Sequence, residues 1–201
     1  MTTVAYLRVK HLADRLLALL ALVLLLPLLL LLALLVRWRL GAPVFFVQER
    51  SGRHGRPFRL VKFRSLLPLA PGRHSDAERM TPFGRRLRAS SLDELPQLLN
   101  VLRGEMSLVG PRPLPPAYLP LYSARQARRL QLRPGLTGWA QVSGRNSLSW
   151  RRRFACDAWY VRHCSPALDL LILLRTPRVV LARRGISASD QATMAPFTGR
   201  A

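Results

Sequence analysis

Two adjacent carboxylates, Asp93 and Glu94, are the residues of this chain best suited to chemistry. Acidic residues are scarce, 10 against 32 lysines and arginines, yet this pair lies among several arginines, namely Arg85, Arg86, Arg88, Arg103 and Arg112. An ionised carboxylate can attack phosphorus as a nucleophile. Such an attack on an anionic diphosphate needs cations that neutralise the phosphoryl oxygens, and guanidinium groups are suited to that task. The pattern therefore fits phosphoryl transfer.

A structural explanation fits the same spacing. Ser91 and Glu94 match the capping-box pattern, in which the glutamate only closes the N-terminus of a helix. Pro96 is tolerated only in a first helical turn, so a helix predicted over Ser91 to Leu102 must begin before it. At a helix N-terminus the free N–H groups and the dipole favour an ionised carboxylate and attract phosphate. The spacing alone leaves both interpretations open.

The second carboxylate suits a magnesium site. Mg²⁺ prefers oxygen ligands and usually takes one or two protein carboxylates, with substrate phosphates and water completing its octahedron. Lys62 and Arg64 lie at the end of a predicted strand and could reach this site, although contact with the membrane would explain them equally well. Cys156 and Cys164 have no metal-site spacing, and we interpret them as free thiols on the cytosolic side.

An uncharged, leucine-rich run from Leu16 to Val36 has the length of a membrane segment. Arginine and tryptophan follow it where a cleavage site would need small residues, so we expect the segment to be retained. Pro27 at its centre predicts a kink. Basic residues flank both ends: Arg8, Lys10, Arg15, Arg37 and Arg39. Because both flanks favour the cytoplasm, we favour a re-entrant hairpin with cytoplasmic termini over a bent spanning helix.

The formal net charge of +22 indicates an anionic partner. Arginine supplies nearly all of it, since Lys10 and Lys62 are the only lysines. A nucleic-acid-binding module would explain the charge but not the leucine run, so we expect no nucleic-acid partner. A basic scaffold lying on anionic headgroups of the inner membrane explains both features but leaves Asp93 and Glu94 without a purpose. That scaffold, binding anionic lipid or nucleic acid, is the alternative function.

The remaining segments predict an α+β fold. Val44 to Glu49 and Pro57 to Arg64 predict a β-hairpin, and Leu67 to Met80 predicts a loop. Basic residues from Tyr118 to Leu132 and an apolar stretch from Leu168 to Leu174 predict membrane-interfacial helices. We therefore expect a re-entrant membrane helix hairpin in residues 1–40, a small cytosolic catalytic domain in 41–185 and a flexible tail in 186–201.

The stretch from Ser91 to Pro113, SLDELPQLLNVLRGEMSLVGPRP, resembles the signature of the monotopic phosphoglycosyl transferases, which are bacterial sugar transferases. Further segments are similar to this family across roughly residues 8 to 183: Gly41–Arg50, Phe58, Lys62–Ser65, Pro134–Asn146 and Leu168–Leu170. Three residues depart from the family pattern. Leu26 replaces a serine before the membrane proline, Leu66 replaces methionine, and Glu105 replaces aspartate.

The resemblance implies roles for the carboxylates. Asp93 would be the nucleophile that takes the phosphosugar from a UDP-sugar and releases a nucleoside monophosphate, while Glu94 would bind Mg²⁺. Polyprenyl phosphate, the undecaprenyl carrier of bacteria, would then attack this intermediate at the cytoplasmic face of the inner membrane. The first membrane step of polysaccharide, exopolysaccharide or lipopolysaccharide assembly would result.

Three arginines in family-like motifs, Arg88, Arg112 and Arg145, are expected to contact phosphate or nucleotide. For any one of them, a solvated surface position or a lipid-headgroup contact is the simpler alternative. Asp157 and Asp169 are expected to form structural salt bridges. We assign no role to Trp139, Trp150 or Trp159, since tryptophans of membrane enzymes often lie in the core or interface.

Overall fold

The computed structural model describes residues 3–71, 75–144, 147–182 and 196–199. The helices are α1 (Thr3–Leu24), α2 (Leu26–Leu40), α3 (Asp76–Arg79), α4 (Pro82–Ala89), α5 (Leu98–Arg103), α6 (Ala124–Ala127), α7 (Trp139–Ser143), α8 (Trp150–His163) and α9 (Pro166–Leu181). The strands are β1 (Phe45–Ser51), β2 (Pro57–Phe63), β3 (Ser107–Val109) and β4 (Gly135–Thr137). Shorter 3₁₀ segments cover Arg53–Gly55, Leu92–Gln97, Pro116–Leu121 and Arg128–Gln131. Helices combined with two small sheets confirm the α+β class.

The leucine-rich run forms two helices that meet at Leu25. Pro27 lies in the first turn of α2, where its missing N–H costs no helical hydrogen bond. Among the described residues, no single helix is both long and apolar enough to cross a membrane, whereas α1 and α2 together have that length and composition and are bent by 65°. The predicted break is therefore present, two residues before the proline.

The outer face of this helix pair is strongly apolar and exposed. The most exposed side chains include Leu24, Leu30, Leu34 and Trp38, which expose 63–70% of their surface. An apolar surface of this extent marks contact with lipid or a partner. The inner face packs instead on the rest of the chain: Ala18 of α1 lies against Leu98 and Met106, and Val36 of α2 lies in the cluster that holds Phe63.

The predicted β-hairpin is confirmed. Strands β1 and β2 pair antiparallel from Phe45 opposite Phe63 to Ser51 opposite Pro57. The turn uses positive φ angles at His54 and Gly55, a conformation that glycine adopts without strain. The hairpin brings the end of β2, including Lys62, beside the segment Leu92–Gln97.

The segment predicted as one helix from Ser91 to Leu102 is divided. Residues Leu92–Gln97 form a 3₁₀ helix, and the α-helical pattern begins only at Leu98. Pro96 explains the division, because it has no N–H to donate to a preceding carbonyl. Gly104, with φ of 80°, ends α5 at the predicted place.

The basic helix predicted from Tyr118 to Leu132 is wrong. The chain forms a 3₁₀ segment, the single turn α6 and a second 3₁₀ segment instead. Pro120 interrupts the hydrogen-bond ladder, and Ser123 begins a new helix through a capping box with Gln126. Leu67 to Met80 also departs slightly from the predicted loop, because α3 forms one turn at its end.

A parallel pair, β3 and β4, joins two distant parts of the chain. Ser107 lies opposite Gly135, and Val109 lies opposite Thr137. The two backbones approach so closely beyond the strands that a Cβ atom at Gly135 would collide with the backbone of Gly110. These glycines therefore allow the chain around β4 to pack directly against the segment that follows β3.

Part of the predicted flexible tail is packed. Phe197 is 3% exposed, and its backbone N–H donates to the Tyr118 hydroxyl at 3.1 Å. Its ring lies among Tyr122, Trp150 and Phe154, with ring centroids 4.9 Å apart for the Phe154 contact. Residues 196–199 thus depart from the predicted tail because Phe197 fills an aromatic cluster; the rest of 186–201 lies outside the described residues.

A buried polar network ties α1 to α8 and α9. Lys10 forms salt bridges with Asp169 at 2.7 Å and with Asp14 at 3.5 Å. The Tyr6 and Tyr160 hydroxyls donate to the Asp169 carboxylate at 2.6 and 2.5 Å. The predicted structural salt bridge of Asp169 is therefore confirmed, and it connects α1 with α8 and α9.

Replacing Asp169 by asparagine should destabilise the protein markedly, because it removes the counter-charge of a Lys10 side chain that is 6% exposed. Breaking a buried ion pair costs about 3–5 kcal/mol. Thermal unfolding in detergent would show a lower Tm. As a matched control, Asp76→Asn removes the exposed pair with Arg79 and should cost about 1 kcal/mol or less. Equal Tm values for the two variants would contradict a supporting role for the network.

Candidate active site

Asp93 and Glu94 lie in the 3₁₀ segment Leu92–Gln97, directly after a backbone reversal at Ser91. Ser91 has φ of 56° and ψ of 13°, a left-handed conformation uncommon outside glycine, and it makes no side-chain capping bond. The capping-box explanation of Glu94 is therefore wrong, because an N-cap residue needs an extended backbone to reach the N3 amide. Helix capping therefore does not explain the carboxylate pair.

Asp93 is buried, with 4% of its surface exposed. The pKa of Asp93 is raised to about 6, mainly by burial and secondly by the neighbouring Glu94 charge. Lys62, Arg88 and Arg112 oppose this shift. The expectation that a helix N-terminus would favour the ionised carboxylate is thus outweighed by burial, although Asp93 remains mostly ionised at neutral pH.

Glu94 faces Arg112 in a two-pronged ion pair. The Arg112 guanidinium donates from Nη2 to Oε1 at 2.6 Å and from Nη1 to Oε2 at 3.4 Å. The Glu94 carboxylate raises the pKa of Arg112. The Arg112 side chain is 41% exposed, so the pair borders solvent and leaves room for the guanidinium to move.

Lys62 and Arg88 complete the cationic surroundings of Asp93. Burial lowers the pKa of Lys62, while the Asp93 and Glu94 charges counteract that shift, so its ammonium group interacts electrostatically with both carboxylates. The Arg88 Nε donates to the Ser65 hydroxyl at 2.8 Å. That bond fixes α4 against the chain just after β2 and keeps the Arg88 charge near Asp93.

Arg64, which is also a predicted phosphate contact, is not brought into this group. The Arg64 Nη2 donates to the carbonyls of Leu40 and Gly41, both at 2.6 Å, so it closes the C-terminus of α2. The group that most affects its pKa besides burial is Arg79. Arg145 lies outside the described residues. Phosphate binding by these two residues stays a prediction.

A second buried ion pair supports Arg112 from behind. Arg129 and Asp157, 4% and 1% exposed, form a salt bridge of 2.9 Å. The Arg129 Nη2 also donates to the Arg112 carbonyl at 2.5 Å. The predicted structural salt bridge of Asp157 is therefore confirmed, and it fixes the backbone from which Arg112 reaches Glu94.

Two arginines near the site were missed by the sequence reasoning. Burial, with the Arg112 charge as the next cause, lowers the pKa of Arg50 to about 10. The same two causes, in the same order, lower the pKa of Arg153 to about 10. Arg50 lies within a family-like segment that could have indicated it, whereas Arg153 is one of three consecutive arginines in α8 that nothing in the sequence distinguishes.

A cavity of about 350 Å³ adjoins the carboxylates. Glu94, Arg112 and Arg153 are its charged lining residues, and Asp93 lies outside the lining. The other lining residues are mostly apolar and come from the 3₁₀ segment with the two residues before it, and from β3, β4, α7 and α9: Ser90, Ser91, Leu92, Leu95, Leu108, Leu136, Thr137, Ala140, Gln141, Val142, Leu173, Thr176, Pro177, Val179 and Val180. A concave, largely apolar pocket with a few charged groups is typical of a small-molecule site.

The donor set fits magnesium bound together with a phosphorylated ligand. Within the described residues, no group of three or more histidine, cysteine, aspartate or glutamate side chains could hold a metal ion. Mg²⁺ needs only one or two protein carboxylates when phosphates supply further oxygens. Glu94, which lines the cavity beside Asp93, is suited to that role. The chemistry of these groups therefore suits phosphate and a cation bound beside Glu94.

Comparison with known proteins gives the family. The family model described as bacterial sugar transferase matches residues 5–183. Over 167 residues the chain is 52% identical to the uncharacterized sugar transferase EpsL of Bacillus subtilis, covering 82% of this chain and 83% of that protein. Over 191 residues it is 42% identical to the exopolysaccharide production protein ExoY of Sinorhizobium fredii, covering 85% and 84%.

A third relative carries a more specific name. The chain is 47% identical over 148 residues to the UDP-glucose:undecaprenyl-phosphate glucose-1-phosphate transferase of Caulobacter vibrioides, covering 67% of this chain and 55% of that protein. The family match includes the segment that holds Asp93 and Glu94. The chain therefore belongs to the bacterial sugar transferase family.

Proposed function

We propose that this sugar transferase moves a sugar 1-phosphate from a UDP-sugar to undecaprenyl phosphate and releases UMP. The observation that carries the proposal is a buried carboxylate, Asp93, held among Lys62, Arg88 and Arg112 beside an exposed apolar helix pair. The name of the Caulobacter relative supports both the donor class and the acceptor. The name of the Sinorhizobium relative supports a role in exopolysaccharide production.

The reaction proceeds in two displacements. An oxygen of the Asp93 carboxylate attacks the phosphorus next to the sugar, and the bond from this phosphorus to UMP breaks. An oxygen of undecaprenyl phosphate then attacks the same phosphorus, and the bond to Asp93 breaks. The carboxylate is regenerated, and the product is an undecaprenyl diphosphate sugar.

The cationic side chains make the first attack feasible. Lys62 and Arg88 lower the cost of keeping Asp93 ionised in its buried position. Arg112, whose side chain is partly exposed beside Glu94, contacts the donor phosphates, and the Glu94 carboxylate would hold Mg²⁺. When bound, the magnesium ion neutralises charge on the phosphate oxygens. Arg153 contributes further positive charge on the cavity side.

Contacts at both ends of the α1–α2 pair support a re-entrant anchor. Lys10 near the start of α1 binds Asp169, and Arg64 binds the last carbonyls of α2. Both ends of the helix pair are therefore bonded to residues of the domain that follows it, whereas a simple span would place the two ends on opposite sides of the membrane. Exposed leucines of α9, including Leu170 and Leu174, support contact of that helix with the membrane surface.

The direct test is turnover. Detergent-solubilised protein is mixed with Mg²⁺, undecaprenyl phosphate and a panel of UDP-sugars, and UMP and the lipid product are measured. We expect release of UMP in equal amount to the lipid product with at least one donor. Absence of turnover with every UDP-sugar, while the protein remains folded, would favour the alternative of a basic membrane-surface scaffold.

The anchor model predicts that both termini are cytoplasmic. Reporter fusions before Met1 and after Ala201 should both give the cytoplasmic signal in intact cells. The equal basic flanks and the contacts of Lys10 and Arg64 give the physical reason. A periplasmic N-terminus with a cytoplasmic C-terminus would restore the spanning helix.

Glu94→Gln should abolish most of the activity, because the amide keeps the size of the side chain but removes the charge needed for Mg²⁺. We expect a loss of at least about 100-fold, the scale of losing a key electrostatic group. Glu78→Gln is the matched control, since Glu78 belongs to the distant capping box of α3. Full magnesium-dependent activity in a folded Glu94→Gln protein would move the metal site elsewhere.

Asp93→Asn should abolish turnover without lowering Tm at pH 7.5. Because burial raises the folded-state pKa of Asp93 to about 6, the stabilising effect of its protonation is complete below the unfolded pKa and is lost as the pH rises through about 6. The ionised side chain is thus unfavourable at pH 7.5, and a neutral asparagine removes that cost. The wild-type rate of UMP release should correspondingly fall as the pH drops below about 6.

A lower Tm with retained activity in Asp93→Asn would instead identify Asp93 as a structural group. The matched control is Asp157→Asn, which removes the counter-charge of buried Arg129 and should lower Tm.

A further inference from the structure

The cavity beside Glu94 contains a polar side chain whose bonding capacity is unused. Gln141, in α7, lines this cavity, and both its amide nitrogen and its amide oxygen are closed off from solvent. Neither atom has a hydrogen-bond partner among the residues that the structure describes. Leaving a buried donor and acceptor unpaired is energetically costly and rare, so this carboxamide requires an explanation.

The nearby hydroxyl groups do not compete for Gln141. The Thr137 and Thr176 hydroxyl oxygens lie 2.8 Å apart and share a hydrogen bond. The Thr176 hydroxyl also donates to the Ile172 carbonyl at 2.8 Å. Arg112 is engaged with Glu94. The amide of Gln141 is therefore not used by the other lining residues that the structure describes.

The chemistry of a carboxamide defines its complement. Its N–H donor and C=O acceptor lie side by side, so two parallel hydrogen bonds require a ligand edge with an acceptor and a donor side by side. The cyclic imide of uracil has such an edge. An N-acetyl group of a sugar holds its N–H and C=O on opposite sides, as a trans amide does, and can form only one of the two bonds.

The cavity wall favours a flat base over a hexose. The lining of this cavity also includes Leu136, Val179 and Val180, whose side chains offer no hydrogen bonds. A hexose carries hydroxyl groups around its ring, and apolar walls would leave them unpaired. The faces of a nucleobase are suited to such contacts, and only its edge needs polar partners.

We propose that Gln141 recognises the imide edge of the donor's uracil base and thereby selects the nucleotide carrier. The base lies between α7 and α9, while Arg112 and Arg153, on the same cavity wall, contact the diphosphate. This assignment rests on the proposed function, because it requires a nucleoside diphosphate sugar as donor. It makes Gln141 a residue for nucleotide specificity, separate from the carboxylates that carry the reaction.

The test measures binding of UMP and of ribose 5-phosphate, which lacks the base, to the full chain in detergent with Mg²⁺. Gln141→Leu should weaken UMP binding about tenfold or more, as expected for two lost hydrogen bonds. Ribose 5-phosphate binding should not change, and turnover at saturating UDP-sugar should be kept while the KM for the donor rises. Gln131→Leu, which changes an exposed glutamine outside the cavity, is the matched control and should leave all values unchanged.

A second measurement uses unaltered protein. UMP methylated at N3 lacks the imide N–H and should bind wild-type protein at least about tenfold more weakly than UMP. In Gln141→Leu the methyl group should cause little further loss, because the two changes remove the same contact. This comparison keeps the proposal testable if Gln141→Leu folds poorly.

Three outcomes would overturn the assignment. Unchanged UMP binding in Gln141→Leu would remove the base contact, and equal weakening of ribose 5-phosphate would indicate general damage to the site. A higher KM for undecaprenyl phosphate alone would assign Gln141 to the lipid. In each case wild-type turnover would leave the proposed function intact, whereas absence of wild-type turnover would reject that function itself.

Discussion

A buried carboxylate is tolerable only when nearby cations compensate its charge, and this constraint governs the structure around Asp93. Its side chain is almost fully removed from solvent, and Lys62, Arg88 and Arg112 oppose the rise of its pKa. These three cations come from a strand, a helix and a loop that are distant in sequence. The tertiary fold must therefore hold each of them against the segment Leu92–Gln97.

Buried polar side chains provide that support. Asn100, fully buried in α5, accepts from the Val61 N–H at 3.1 Å and donates to the Arg59 carbonyl at 2.7 Å, so it joins the free edge of β2 to the helix after Asp93. Glu105 accepts from the Asn100 amide at 2.7 Å, which gives this departure from the family pattern a structural role. The Arg129–Asp157 pair fixes Arg112 in the same way.

Patterns that depend on neighbouring residues were predicted well. The hairpin of β1 and β2, the break in the leucine run and the end of α5 at Gly104 follow from strand propensity, proline and glycine. The continuous helix predicted from Tyr118 to Leu132 does not form, because Pro120 interrupts its hydrogen bonds. The pKa of Asp93 has a different, tertiary cause: burial, with β2 and α4 packed on the segment Leu92–Gln97, outweighs the local helix dipole.

The cavity could not have been predicted from the sequence. Its lining comes from five separate parts of the chain. Gln141 and Arg153 line it only because α7, α8 and α9 pack close to Glu94, which no local sequence pattern indicates. The close approach of Gly110 and Gly135 also lets the chain around β4 pack directly against the segment that follows β3. The sequence motifs indicate the candidate reacting carboxylates, whereas only the fold shows the cavity beside Glu94.

The central claim, that Asp93 carries the sugar phosphate between the two displacements, is tested most directly by intact-protein mass spectrometry after incubation with UDP-sugar and Mg²⁺ alone. The account predicts release of UMP without acceptor and a mass increase of one sugar phosphate, mapped to the peptide containing Asp93 and discharged by added undecaprenyl phosphate. An adduct on another residue, or turnover that never yields an adduct and requires both substrates together, would contradict it.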